Sequence, residues 1–103
     1  MTKPVRFDRE AEEELAAAVD WYESQRHGLG LDLLEVIEDA ISRIGKAPLQ
    51  FPLLPSIPSE LGARTCSVKR FPYSVVFLEL PTEIRVLALA HTRRRPGYWR
   101  SRL

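Results

Sequence analysis

The stretch from Arg70 to Trp99, RFPYSVVFLELPTEIRVLALAHTRRRPGYW, limits what this chain can fold into more than any other. It opens on a proline turn, Phe71-Pro72-Tyr73, and runs into the apolar segment Ser74–Leu80. The chain reverses at Pro81-Thr82 and continues as Glu83–His91. Both segments are rich in Val, Ile, Leu and Phe, have the length of an ordinary strand and are bounded by turn residues, which predicts an antiparallel hairpin. Helical spacing does not fit, because apolar residues fill nearly every position. His91, the run Arg93-Arg94-Arg95, Tyr98, Trp99, Arg100 and Arg102 follow directly. The hairpin reads as scaffold, and this basic, aromatic tail carries the polar chemistry.

Upstream, Val5 and Phe7 alternate with Arg6 in a short strand over Lys3–Phe7, which Pro4 pushes to a sheet edge. Asp8 is an N-cap candidate, and Glu10, Glu12, Glu13 and Glu14 put negative charge in the first turns, where capping and the macrodipole favour it. Ala11, Leu15, Ala18, Val19 and Tyr22 form one apolar stripe, so a helix is expected from Arg9 to Arg26, ending at Gly28. A second helix follows Gly30, with Leu33, Leu34, Ile37, Ala40, Ile41 and Ile44 inward and Asp32, Glu35, Glu38 and Asp39 outward. Gly45 and Pro48 end it. The link is short enough to require an antiparallel helical hairpin.

Pro48, Pro52, Pro55 and Pro58 punctuate a loop that forbids helix and central strand alike, yet Phe51, Leu53, Leu54 and Ile57 imply that it packs on the body. Ala63–Lys69 alternates as a half-buried strand. The order is therefore β-α-α-β-β-β over a single domain, residues 1–103. The class is α+β, with the helical hairpin on one face of a small, mainly antiparallel sheet. Register places Ile84, Val86, Ala88 and Ala90 under the helices, leaving Arg85, Leu87, Leu89 and His91 on an uncovered face.

Charge is divided along the chain. Up to Gln50 there are eleven Asp and Glu against six Lys and Arg; beyond it there are three against nine. A basic surface suited to nucleic acid or an acidic partner is expected, unless each half simply solvates itself. The single Cys66 excludes an intrachain disulfide and fits a reducing cytoplasm. With only His27 and His91 as further soft ligands it cannot assemble a zinc site. No metal or other cofactor is expected. The charged start MTKPVRFDRE lacks a signal-peptide core, and the apolar runs fall short of a membrane span.

Several features together carry a family resemblance. One helix ends in Trp21-Tyr22-Glu23 and the next opens with Gly28-Leu29-Gly30. A Pro48…Phe51-Pro52 loop and an Arg70-Phe71-Pro72-Tyr73 turn follow, and the last strand ends in His91-x-x-Arg94-x-Pro96-x-Tyr98-Trp99. In this order the chain resembles the RelE/ParE superfamily, the toxins of bacterial type II toxin–antitoxin systems. The resemblance implies a small cytoplasmic toxin held inactive in a hetero-oligomer with a cognate antitoxin protein. It also implies one of two targets. RelE-like members cut mRNA in the ribosomal A site, and ParE-like members poison DNA gyrase. RelE-like sequences carry an arginine after the tyrosine that opens the penultimate strand, where this chain has Ser74. The His-x-x-Arg near the last strand is similar to ParE-like sequences, so gyrase is the preferred target. A toxin reduced to an antitoxin-binding, autoregulatory partner is a third possibility.

If the chain cleaves RNA, His91, Arg94 and Tyr98 are the catalytic candidates. His91 is placed for acid–base work, Tyr98 for polarising or relaying a proton, and Arg94 for the phosphate. The simpler alternatives are that His91 caps a strand end and Tyr98-Trp99 packs the tail on the sheet. Arg64, Lys69, Arg70, Arg93, Arg94, Arg95, Trp99 and Arg100 are the candidates for contact with target or antitoxin. Trp21 and Tyr22 read as core, Cys66 as buried, and His27 is given no role.

Overall fold

In the computed structural model, residues 2–55 and 57–103 are described. The chain forms β1 (Val5–Phe7), α1 (Arg9–Gln25), α2 (Leu29–Lys46), β2 (Ala63–Ser67), β3 (Tyr73–Glu79) and β4 (Ile84–His91). Single 3-10 turns lie at Pro48–Gln50, Ser59–Leu61 and Arg100–Arg102. The strands form one sheet in the order β1-β4-β3-β2. The meander β2-β3-β4 is antiparallel, and β1 lies at the edge, parallel to β4.

The helices follow the apolar stripes. Ala11 and Ala18 of α1 and Leu33, Ile37, Ala40 and Ile44 of α2 are buried against Val75, Phe77, Ile84, Val86 and Leu89 of the sheet. Each fully buried Leu, Ile or Phe side chain contributes about 1.5–3 kcal/mol. The tight link between the helices depends on Glu23, whose carboxylate accepts the backbone N–H groups of Gly28 and Gly30 at 3.0–3.1 Å. These donors open α2 and have no intrahelical partner of their own. Gly28 adopts φ +90°, and a Cβ on Gly30 would lie 2.6 Å from the Val19 carbonyl oxygen. The Trp21-Tyr22-Glu23 and Gly28-Leu29-Gly30 elements are thus two halves of one joint. Tyr22 fills its interior, edge-on to Phe71 at 5.0 Å.

Asp8 occupies the N-cap position, but its side chain makes no cap hydrogen bond. The carboxylate turns instead to Arg85, which donates Nε–H to Oδ1 and Nη2–H to Oδ2, both at 2.8 Å. A charge-assisted, two-pronged pair outcompetes a single backbone donor.

The strand register departs from simple alternation. Val76 pairs with Ala88 and Phe77 with Val86, so Leu87 is an extra residue in β4. A bulge of this kind reverses the facing of everything beyond it. Ile84 and Val86 lie under the helices as expected. Past the bulge Leu89 takes that face, while Leu87, Ala88 and Ala90 belong to a second core on the other side. The expectation for Ala88 and Ala90, and for Leu89 and His91, is therefore corrected. Nor is the far face uncovered. Leu54 and Ile57 of the proline loop and Tyr98 and Trp99 of the tail pack on it with Val76 and Leu87.

Candidate functional site

Strand β1 is too short to cover β4 along its length. Its last pairing position is Phe7 opposite Val86, followed by the hydrogen bond from Asp8 N–H to the Val86 carbonyl. Beyond this point β4 has an open edge, and backbone groups there need other partners. The tail and α1 supply them. Arg102 Nη1 donates to the Leu87 carbonyl at 2.9 Å, and Leu89 N–H donates to Glu14 Oε1 at 3.1 Å. Glu14 also accepts the Tyr98 hydroxyl at 2.5 Å and Arg102 Nη1 and Nη2 at 3.0 and 3.1 Å. One carboxylate on α1 thus ties β4 and two tail residues together.

Of the three catalytic candidates, Tyr98 belongs to this network and His91 and Arg94 lie beside it. Burial first, and then the hydrogen bond to Glu14, push the Tyr98 phenol far above its ordinary pKa. Its ring is covered by the Arg94 guanidinium at 4.0 Å. Because of the bulge, His91 faces the helix side, edge-on to Tyr73 at 5.1 Å. Its Nδ1 accepts the Arg93 backbone N–H at 3.0 Å, so in the neutral ring the proton resides on Nε2. The free nitrogen is then a donor, and the lone pair that a base needs is occupied. His91, Arg94 and Tyr98 do converge, lining a cleft between α1 and the end of β4. They also line a second cleft, on the far face, with Ser74 and Arg95.

The basic candidates separate into three groups. Lys69 and Arg70, in the β2–β3 turn, share the end of the sheet where Thr92 N–H bonds the Pro72 carbonyl and Arg93, Arg94 and Arg95 follow. Arg70 has φ +73° and reaches Asp32 at 3.5 Å. Arg64 is elsewhere, its Nη1 donating to the Phe51 carbonyl at 2.6 Å beside edge strand β2. Trp99, expected as a contact residue, is instead buried in the second core. Arg100 is exposed beyond it.

Ion pairs between the two halves of the chain offset only part of the charge asymmetry. Asp8–Arg85, Glu14–Arg102, Asp32–Arg70 and Lys3–Glu79 all join one half of the chain to the other. Among the described residues, Lys46, Arg64, Lys69, Arg93, Arg94, Arg95 and Arg100 make no ion pair, and of these Lys69, Arg93, Arg94, Arg95 and Arg100 are the exposed ones in the second half of the chain.

Three residues of this region escaped the sequence reading. Glu14 resembled one more helix-start acid, Arg102 one more tail cation, and Trp21 a core aromatic. Trp21 is in fact 57% exposed. The available signal was spacing: Glu14, Ala17, Ala18 and Trp21 align at i, i+3, i+4 and i+7, a row that meets the core stripe only at Ala18.

A helical hairpin on a four-stranded mixed sheet, with a basic end formed by the last strand and its tail, is the architecture of a small RelE/ParE-type toxin. The family model for the ParE toxin of the type II toxin–antitoxin system parDE matches residues 5–96. The chain belongs to that family. Among solved structures, a chain of the chromosomal ParDE TA system from P. aeruginosa has the same fold, with a TM-score of 0.75. It is 22% identical, and the alignment covers 89% of this chain and 98% of that one. Comparison with curated proteins gives no match. No helix among the described residues is long and apolar enough to cross a membrane.

Proposed function

We propose that this ParE-family toxin arrests growth by binding DNA gyrase, using its basic sheet end as a recognition surface, and is silenced by a cognate antitoxin. The observation that carries the reading is the commitment of both acid–base candidates to structural bonds. The Tyr98 hydroxyl belongs to Glu14, and His91 Nδ1 belongs to the Arg93 N–H. Ser74 offers no cation where RNA cleavage needs one, and loss of a single transition-state contact of that kind typically costs roughly 10²–10³ in rate. A surface that works by binding needs none of these groups free.

The decisive experiment is induction without antitoxin, with mRNA ends mapped in the arrested cells and the purified protein added to a gyrase supercoiling assay. Inhibited supercoiling with intact messages is expected, and His91→Ala should remain toxic. A-site cuts that vanish in His91→Ala would establish RNA cleavage instead. The cleft on the far face, which gathers Ser74, His91, Arg94, Arg95 and Tyr98, is what favours that second reading. A folded protein that neither arrests growth nor inhibits gyrase would mark a partner that only binds antitoxin.

A further inference from the structure

The cleft between α1 and the end of β4 has a volume of about 240 Å³, close to the space one large side chain fills. Its floor is apolar and small-residued, formed by Ala17, Ala18 and Leu89, with Tyr73 at one side. Trp21 stands as its outer wall, 57% exposed and held edge-on to Tyr22 at 4.9 Å. Opposite stands the Arg94 guanidinium, stacked on Tyr98. An exposed tryptophan beside a pre-positioned arginine is the composition of a binding hot spot, since both bury large area with little further ordering.

We infer that this cleft is a docking site for an acidic protein segment that inserts one aromatic or branched aliphatic side chain between Trp21 and Arg94. Charge complementarity selects the partner. Arg94 lines the cleft, Arg93 and Arg95 adjoin it in the chain, and none of the three makes an ion pair among the described residues, so carboxylates flanking the inserted side chain find cations at that end. At the other end Glu14 is already neutralised by Arg102, and Glu13, one helical turn before Ala17, is held by Arg9 at 3.5 Å. The segment's acids therefore lie toward the arginine run and not along α1. A nucleic acid would meet the same arginines, but the floor of Ala17, Ala18 and Leu89 is apolar and suits an inserted side chain better than a base edge. The inference concerns binding at this cleft and holds whichever target the toxin inhibits.

The test uses the full chain labelled with ¹⁵N and two probes, the tripeptide amides Ac-Asp-Phe-Asp-NH₂ and Ac-Asp-Ala-Asp-NH₂, titrated to tens of millimolar. The expected result is saturable shifts at Ala17, Ala18, Leu89 and the Trp21 indole N–H with the phenylalanine probe. Binding should weaken at least fivefold with the alanine probe and at least fivefold in Trp21→Ala. It should also weaken in an Arg93→Ala/Arg95→Ala variant, and in high salt, where charge attraction is screened. Because Trp21, Arg93 and Arg95 are exposed, these variants keep the fold, which the spectrum itself reports. Equal binding of the two probes would reduce the site to charge alone and overturn the inference. So would shifts confined to another surface, or tighter occupancy of the same amides by the tetranucleotide rU₄.

Discussion

Replacing Glu14 with glutamine tests the central feature of this structure, a carboxylate that holds the C-terminal tail on the open edge of β4. The substitution preserves volume and removes the charge. In the wild type the carboxylate accepts four hydrogen bonds, from Leu89 N–H, Tyr98 and both Arg102 Nη groups, with the Glu14 and Arg102 side chains only 17% and 16% exposed. Glutamine keeps one acceptor oxygen and turns an NH₂ group toward either Arg102 or the Tyr98 hydroxyl, so at least one donor loses its partner. Breaking a buried ion pair costs about 3–5 kcal/mol, and the residual exposure with one retained acceptor brings this to about 2–3 kcal/mol. For a domain of this size the loss corresponds to a fall in Tm of roughly 10–20 °C. Calorimetry and urea unfolding followed by tryptophan fluorescence measure it, because Trp99 packs beside the network. In a cycle with Arg102→Met the two changes should be non-additive by about 1 kcal/mol or more. A loss under about 0.5 kcal/mol, or strict additivity, would mean that the tail is held by Trp99 packing and that Glu14 is incidental.

Three further outcomes are expected. Gly30→Ala should destabilise by about 1–3 kcal/mol in urea unfolding, because its Cβ would meet backbone, the Val19 carbonyl oxygen at 2.6 Å, which cannot rotate away. Trp99→Ala should cost about 3–5 kcal/mol by the same measurement, as it opens the core between the tail, Ile57 and Leu87, whereas the exposed Trp21→Ala should stay within about 0.5 kcal/mol. Glu23 is held below the usual glutamate pKa, chiefly by the Gly28 N–H. Its stabilisation is thus fully present above the ordinary value of about 4.3 and is lost as pH falls through the lower folded value. Glu23→Gln should have a lower Tm than the parent at pH 7, and the gap should narrow toward pH 3; a gap independent of pH would refute the capping role.

By itself the sequence determined the elements, their order and the family. Those features are local. The stripe from Ala11 to Tyr22, the glycines between the helices, the proline-rich loop and the two apolar runs each declare themselves within a few residues, because periodicity and turn chemistry act over that range. What only the tertiary structure decided was which groups meet. One extra residue, Leu87, carried no mark within the apolar run Val86–Ala90, yet it turned His91 from the far face to the helix side. Asp8 met the requirements of a helix cap, and nothing local revealed that Arg85, 77 positions away, would take its carboxylate. Glu14 and Arg102 looked like surface charges until β1 proved too short to cover β4 and the exposed backbone recruited them. Side-chain partners across such distances are chosen by three-dimensional proximity and by the need to satisfy buried polar groups. The partners of His91 and Tyr98 were therefore decided by the fold and not by their place in a motif.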